Sequence, residues 1–294
     1  MDALDRVPQV SIVLTTYNRA HVLATTIDSV LQQTFKNFEL LICDDCSTDE
    51  TRTIVEEYCE RDCRIVYMPS SERLRMPNNL NRGLRAAKGS YVANLHDGDI
   101  YDEQLIAKWV SALEACPKAG FVFNAYRDAG EWFHPGTVMS VPLKPCSPGD
   151  SLLRIFDRRW RFNSPVWGTV MARKSAYQAQ GFLDARYGFV ADVDMWLRFA
   201  EKYNVAYVPE PLISLPTRQE LPRKISSGTV NEHRMFHAMM KASRRRRSST
   251  FRQAVKNRIV HGLFVVADFG YLGARAALGP QRLSKARTFF GSPD

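Results

Sequence analysis

The sequence predicts an α/β protein, a mainly parallel sheet flanked by helices, followed by a helical C-terminal extension. Three observations carry this expectation. Apolar, β-branched runs alternate with amphipathic helical stretches through the first 125 residues, the pattern of βαβ units. The runs are apolar at consecutive positions, as strands covered on both faces require. Hydrophobic residues make up 45% of the 294-residue chain, which supports a packed core and excludes wholesale disorder.

Each element can be read in turn. Residues 10–15 form a buried strand, residues 18–20 turn the chain, and residues 20–33 place Val22, Leu23, Ile27, Val30 and Leu31 at helical spacing. Residues 38–43 are the second strand, and Ser47 is placed to cap a helix that runs to about Glu60. A third strand (64–68), a helix (79–87), a fourth strand (90–95), a helix (103–116) and a fifth strand (120–124) follow. Between Arg127 and Asp150, Pro135, Gly136, Pro142, Pro145, Pro148 and Gly149 mark turns and loops. Helical spacing returns over 150–156. A strand is expected at 167–172, then helices to about Gln180 and over 190–203, and short strands at 205–208 and 211–215. Beyond Thr229 the chain reads as helix, with breaks near Ser248 and at Gly279-Pro280.

The net charge is +9, and the basic excess gathers from Arg218 onward, including the run at 244–247. Such a surface suits an anionic partner or is a solvated helix face. No aromatic-rich basic module accompanies it, so a nucleic-acid partner is not expected. No G-x-G-x-x-G follows the first strand, which speaks against a dinucleotide-dependent dehydrogenase. Residues 1–10 lack a signal pattern and no stretch of 18 uncharged apolar residues occurs, so a cytoplasmic protein without a spanning helix is expected. Cys43, Cys46, Cys59 and Cys63 have a spacing that superficially resembles a zinc site. Free thiols in a reducing compartment are the simpler reading.

Parallel sheets bind ligands at the carboxyl ends of their strands. Polar residues cluster there, at 15–19, 44–49 and 96–99. Asp97 and Asp99, two residues apart in what reads as a surface loop, can converge on one hard divalent cation and its diphosphate, or form an ordinary acidic turn. Asp45 can accept from a base N–H or a ribose hydroxyl, while Ser47 or Asp49 starts the next helix. Tyr17 offers a ring for stacking and Arg19 a cation for phosphate. Asp192 lies near a helix start, where it complements the dipole or serves as a general base, with Asp194 next in line.

The order and spacing of these segments resemble the family 2 glycosyltransferases. The resemblance is carried by Val10-Ser-Ile-Val-Leu-Thr-Thr-Tyr-Asn-Arg19, Ser29 to Phe35, Phe38 to Asp49, Asn81-Arg-Gly-Leu to Gly89 with the acidic loop, and Gly168-Thr to Arg173 through Asp192 and Trp196. It covers about residues 8–216 and implies a Rossmann-like GT-A fold, with a nucleotide-sugar part (about 8–125), an acceptor part (about 126–216) and residues 217–294 as the extension. It further implies a UDP- or other nucleotide-activated sugar donor, Mn or Mg, and transfer with inversion. Carried over by position, Thr15, Tyr17, Arg19, Asp45 and Asp97 bind the donor, Asp97 and Asp99 hold the metal, and Asp192 deprotonates the acceptor. The acceptor is expected to be a glycan or a lipid-linked sugar. Gly98, Ala191 and the lack of a late histidine depart from the family pattern; His96, Arg218 or Arg223 stand in as substitutes. A catalytically weak binding or scaffold module is the alternative that these departures motivate. Trp132, Trp160 and Arg161 belong to a loop expected to shape the acceptor pocket. The apolar stretch 259–278, interrupted by His261, Asp268 and Arg275, is expected either to lie on an anionic membrane surface at the inner face or to pack on the catalytic domain or a second subunit.

Overall fold

A computed structural model describes residues 7–127, 137–159, 166, 168–215 and 230–247. The expectations for Trp132, Trp160, Arg161, Arg218, Arg223, residues 1–6 and the stretch 259–278 lie outside the described residues. The elements run β1 (Val10–Thr16), α1 (Ala20–Leu31), β2 (Phe38–Asp44), α2 (Thr51–Arg61), β3 (Ile65–Pro69), α3 (Asn78–Ala86), β4 (Tyr91–His96), β5 (Ile100–Tyr101), α4 (Leu105–Ala115) and β6 (Ala119–Arg127). Then come β7 (Val138–Met139), β8 (Cys146–Ser147), α5 (Gly149–Arg159), β9 (Val170–Arg173), α6 (Lys174–Gln180), a 3-10 helix (Ala185–Val190), α7 (Ala191–Ala200), β10 (Asn204–Ser214) and α8 (Val230–Arg247).

The strands form one mainly parallel sheet in the order β3-β2-β1-β4-β9-β6-β10-β5. β1 pairs in parallel with both β2 and β4, so the chain winds outward to β3 and then crosses back to the other side of β1. β9 is antiparallel to β4 and to β6. It separates two strands that strict alternation along the sequence would place side by side. β1 and β2 are buried at nearly every position because both faces are covered. Leu23, Ile27 and Val30 of α1 and Leu105, Ile106, Trp109 and Leu113 of α4 are fully buried. The Trp109 indole N–H finds Asn124 Oδ1 at 3.1 Å, which satisfies the one polar atom of a buried Trp.

Two local expectations are corrected. α2 starts at Thr51, and Asp49 rather than Ser47 supports its start: Asp49 Oδ1 accepts from the Thr51 N–H at 3.1 Å and the Thr51 hydroxyl at 2.6 Å. The Ser47 hydroxyl instead donates to Asp44 Oδ1 at 2.5 Å and accepts from the Asn18 N–H at 2.9 Å. Residues 205–208 and 211–215 join in the single strand β10, whose ladder on β6 shifts register around Pro211, the residue with no N–H to give.

Cys43, Cys46, Cys59 and Cys63 are free, whereas Cys116 and Cys146 form a disulfide between the end of α4 and β8. Cysteine spacing does not encode such a pairing. The chain divides into two compact units, Met1–Met235 and Phe236–Asp294, and the sheet lies in the first. Among the described residues no helix is long and apolar enough to cross a membrane.

Candidate active site

The winding direction reverses between β1 and β4, which opens a crevice at their carboxyl ends. Thr15 and His96 are register partners there. The loops above are laced together. The Thr48 N–H donates to Asn18 Oδ1 at 2.7 Å, and the Ala20 N–H donates to Asp49 Oδ2 at 3.0 Å. Asn18 and Cys46 hold positive φ to make these turns. Arg82 of α3 ties down the strand ends of β2 and β3, donating to the carbonyls of Met68, Pro69 and Asp44.

On the β1 side Tyr17 is half-buried, and the guanidinium of Arg73 lies 3.6 Å from its ring centroid. Asp45 is buried and accepts from the N–H groups of Leu74 at 2.7 Å and Arg75 at 2.9 Å. It therefore fastens the 73–75 loop over Tyr17, and Arg73 Nε stands 4.0 Å from Asp45 Oδ2. The sequence singled out Asp45 and Tyr17 but missed Arg73, which sits in a polar loop without periodicity.

The acidic loop follows β4. Gly98 has φ +94°, a conformation that side chains rarely adopt, and its N–H donates to Thr26 Oγ1 at 2.9 Å. The glycine is thus a backbone requirement of this loop. Asp99 was expected on a surface loop; its residue is only 2% exposed, and Oδ2 accepts from Thr169 Oγ1 at 3.4 Å. The burial follows from β5, which turns the chain straight back into the sheet against β10. Asp97 is half-buried, and burial raises its carboxyl above the usual range while Arg19 and the Thr16 hydroxyl pull it back.

Among the described residues, Arg19 Nε is buried without a hydrogen-bond partner. No group of three or more His, Cys, Asp or Glu side chains there converges on one point. The unpaired Arg19 N–H suits a diphosphate oxygen, and Asp97 and Asp99, on one loop beside it, are of the type and number that hold Mg when diphosphate oxygens and water complete its coordination.

Asp192 lies in the first turn of α7 and accepts from the Val193 N–H at 2.7 Å. Burial outweighs that bond and pushes its carboxyl up to about 6. Asp194 is engaged elsewhere: Arg198 Nε donates to its Oδ2 at 2.7 Å, while Arg198 Nη1 and Nη2 donate to the carbonyls of Gln180 and Phe182. That leaves Asp192 as the α7 carboxylate on the crevice.

Residues 168–169, at the start of β9, join the two sides. A Cβ at Gly168 would stand 3.0 Å from Asp192 Oδ2 and 2.8 Å from His96 Nε2, while Thr169 reaches Asp99. His96 Nδ1 is 3.7 Å from Asp99 Oδ2. Burial pushes the imidazole down to about 4, so it is neutral at pH 7 and the contact is not an ion pair. The sequence carried Gly168 and Thr169 only as part of the family resemblance. Their position opposite Asp99 depends on the antiparallel insertion of β9.

The Glycosyl transferase family 2 model matches residues 11–179. EpsE of Bacillus subtilis is 32% identical over 204 residues, covering 66% of this chain and 68% of that protein. The UDP-Glc:alpha-D-GlcNAc-diphosphoundecaprenol beta-1,3-glucosyltransferase WfaP of Escherichia coli is 32% identical over 133 residues, 45% of this chain and 52% of that protein. The chain therefore matches between about half and two thirds of the length of these relatives. In fold it is similar to S. aureus TarS 1-349 in complex with UDP-GlcNAc, with a TM-score of 0.69, 15% identity and coverage of 92% of this chain and 76% of that one. It is also similar to glucosyl-3-phosphoglycerate synthase of Mycobacterium tuberculosis in complex with Mn2+ and UDP, with a TM-score of 0.56, 16% identity and coverage of 79% and 80%.

Proposed function

Because the chain belongs to the glycosyl transferase family 2, we propose that it transfers a sugar from a UDP-sugar to a hydroxyl of a glycan or lipid-linked acceptor, with inversion at the anomeric carbon. One observation carries this reading: two carboxylates flank the same short segment at the start of β9, Asp99 beside Thr169 and Asp192 beside Gly168. One side is suited to a departing diphosphate and the other to an incoming hydroxyl.

Tyr17 packs against the base, with Arg73 and Asp45 closing that pocket; Thr15 and Asp97 line the ribose and diphosphate path. Asp97 and Asp99 hold Mn or Mg, and Arg19 adds a fixed positive charge for the phosphates. A bound divalent ion supplies charge neutralisation for the departing diphosphate. Asp192 takes the proton of the acceptor hydroxyl. The acceptor oxygen bonds to the anomeric carbon as the bond from that carbon to the diphosphate oxygen breaks, and the nucleoside diphosphate leaves with the electron pair. A single displacement from the face opposite the leaving group inverts the centre. A carboxyl at about 6 is mostly ionised at pH 7 and more basic than an ordinary aspartate, as a general base requires.

The name of WfaP describes a lipid-diphosphate-linked GlcNAc acceptor. We extend that class to this chain, in bacterial surface polysaccharide synthesis at the inner membrane face. Of the arginines in the last turn of α8, Arg244 is buried while Arg245 and Arg246 are exposed, and exposed arginines suit anionic headgroups at about 1 kcal/mol each near such a surface. The scaffold reading rested on Gly98 and Ala191. Gly98 serves the loop's positive φ and Ala191 is fully buried, so each residue has a backbone or packing reason to be there.

The test is turnover of UDP-sugars with an alkyl-diphosphate-linked GlcNAc, with and without Mn. Metal-dependent release of UDP that Asp99→Asn abolishes is expected. Binding of UDP-sugars with no transfer to any acceptor would favour the scaffold reading.

A further inference from the structure

Asn81, on α3, is buried, and it gives its whole side-chain amide to a residue 102 positions away. Its Nδ2 donates to the Leu183 carbonyl at 2.8 Å, and its Oδ1 accepts from the Leu183 N–H at 3.0 Å. The amide thus pairs with one peptide through donor and acceptor at once. Leu183 is also buried, so water offers neither of its backbone groups a substitute. The two ends of this link lead to the two sides of the site. On the nucleotide side, Asn79 of α3 donates from Nδ2 to the Cys43 carbonyl at 2.8 Å and from its N–H to the Arg75 carbonyl at 3.0 Å. Arg75 belongs to the loop that Asp45 gathers over Tyr17. A Cβ at Gly83 would run into Val13 and Cys43, so α3 lies on the sheet as closely as a glycine allows. On the base side, Leu183 closes the turn that Arg198 of α7 holds through the carbonyls of Gln180 and Phe182. Asp184 then starts the 3-10 helix by accepting from the Arg186 N–H at 3.0 Å, and that helix runs directly into α7 and Asp192.

We propose that Asn81 is a positioning residue that sets where α7 presents Asp192 relative to the bound nucleotide. This rests on the sugar-transfer reading above. A direct displacement needs the base, the acceptor hydroxyl and the anomeric carbon in one alignment, and a misplacement of about 1 Å costs on the order of 100-fold in rate. Apolar packing alone lets a turn slide along a helix. Two hydrogen bonds to one peptide fix its distance and its angle together, because each bond is directional. Asn81 acts through the 180–183 turn and α7, so its loss is felt in the chemical step and not in the hold on the nucleotide.

The experiment compares wild type, Asn81→Ala and Asn81→Asp, with Leu113→Ala as a control for lost stability. Aspartate is close to asparagine in shape; it keeps the acceptor for the Leu183 N–H and sets a second acceptor against the Leu183 carbonyl. Leu113 is fully buried in α4, so its truncation weakens the fold through a cavity alone. Melting temperature, UDP affinity in Mn by calorimetry, and kcat and KM for UDP-sugars with an alkyl-diphosphate-linked GlcNAc are measured, all below the melting transitions. Both Asn81 variants are expected to bind UDP within about 3-fold of wild type while kcat falls about 10- to 100-fold. Leu113→Ala should melt lower and keep kcat within about 2-fold. The proposal is overturned if kcat survives in the Asn81 variants, if Leu113→Ala loses as much kcat, or if the loss lies in UDP affinity. It is also overturned if neither Asn81 variant folds, which would assign the pair to folding alone. Failure of the underlying reading looks different: wild type binds UDP yet transfers to no acceptor, and the proposal falls with it.

Discussion

Asp192→Asn should make the protein more stable and nearly inactive at once. Burial lifts the Asp192 carboxyl from its ordinary 3.8 to about 6. Below pH 4 both folded and unfolded states carry the proton and nothing is gained or lost. Between about 4 and 6 the unfolded chain gives up its proton while the folded chain keeps it, so stability falls as pH rises. Above about 6 the folded protein carries a buried charge and the full penalty applies. A shift of about two pH units corresponds to at most roughly 3 kcal/mol, and partial solvent access to Asp192 brings the expected range to about 1 to 3 kcal/mol. Asparagine keeps the oxygen that accepts from the Val193 N–H at 2.7 Å and cannot ionise. Its melting temperature at pH 7.5 should exceed that of wild type by roughly 2 to 10 °C, with the gap closing toward pH 4. Differential scanning calorimetry of both proteins from pH 4 to 8 reads the gap directly, because other titrating groups cancel. Transfer should fall about 100- to 10,000-fold, and wild-type kcat/KM should drop on the acid side of about pH 6. A variant that is less stable at pH 7.5, or a gap that does not change with pH, would refute the reasoning.

Three further outcomes are expected. Arg198→Ala removes the guanidinium that meets Asp194 and the carbonyls of Gln180 and Phe182; it should cost roughly 3–5 kcal/mol, read by urea unfolding, whereas a loss under 1 kcal/mol would mean that the 180–182 turn does not depend on it. Arg73→Ala and Tyr17→Ala should each weaken UDP binding by calorimetry about 5- to 50-fold while sparing the melting temperature, as expected for stacking and cation–π contacts at a half-exposed site; equal binding would place the base elsewhere. The full-length protein should float with anionic but not neutral vesicles at low salt and be released at high salt; retention in the soluble fraction at every lipid composition would leave the basic run as a solvated face.

The N-terminal half was legible because its signals are local. β1 and β2 announce themselves as short, mostly apolar runs and the helix between them by its spacing, so ligand-facing positions at residues 15–19, 44–49 and 96–99 were expected from alternation alone. What the sequence hid was long-range. β9 runs antiparallel between β4 and β6, and only that insertion carries Gly168 and Thr169 to the acidic loop. The burial of Asp99 depends on a two-residue strand, β5, too short to leave a periodic trace. Arg73 reaches Tyr17 because Asp45 gathers the 74–75 backbone, a contact between residues almost thirty positions apart. Gly98 looked like a lost carboxylate in sequence; its φ of +94° gives the glycine a backbone reason that a one-letter pattern does not display.

The account stands on Asp192 activating an acceptor for one direct displacement while Asp97 and Asp99 hold the leaving side. Proton NMR of the anomeric signals during turnover of an α-linked UDP-sugar tests this most directly. The first product signal from wild type should be β-linked, and Asp192→Asn should give none over the same period. An α-linked first product, or unchanged turnover in Asp192→Asn, would contradict it.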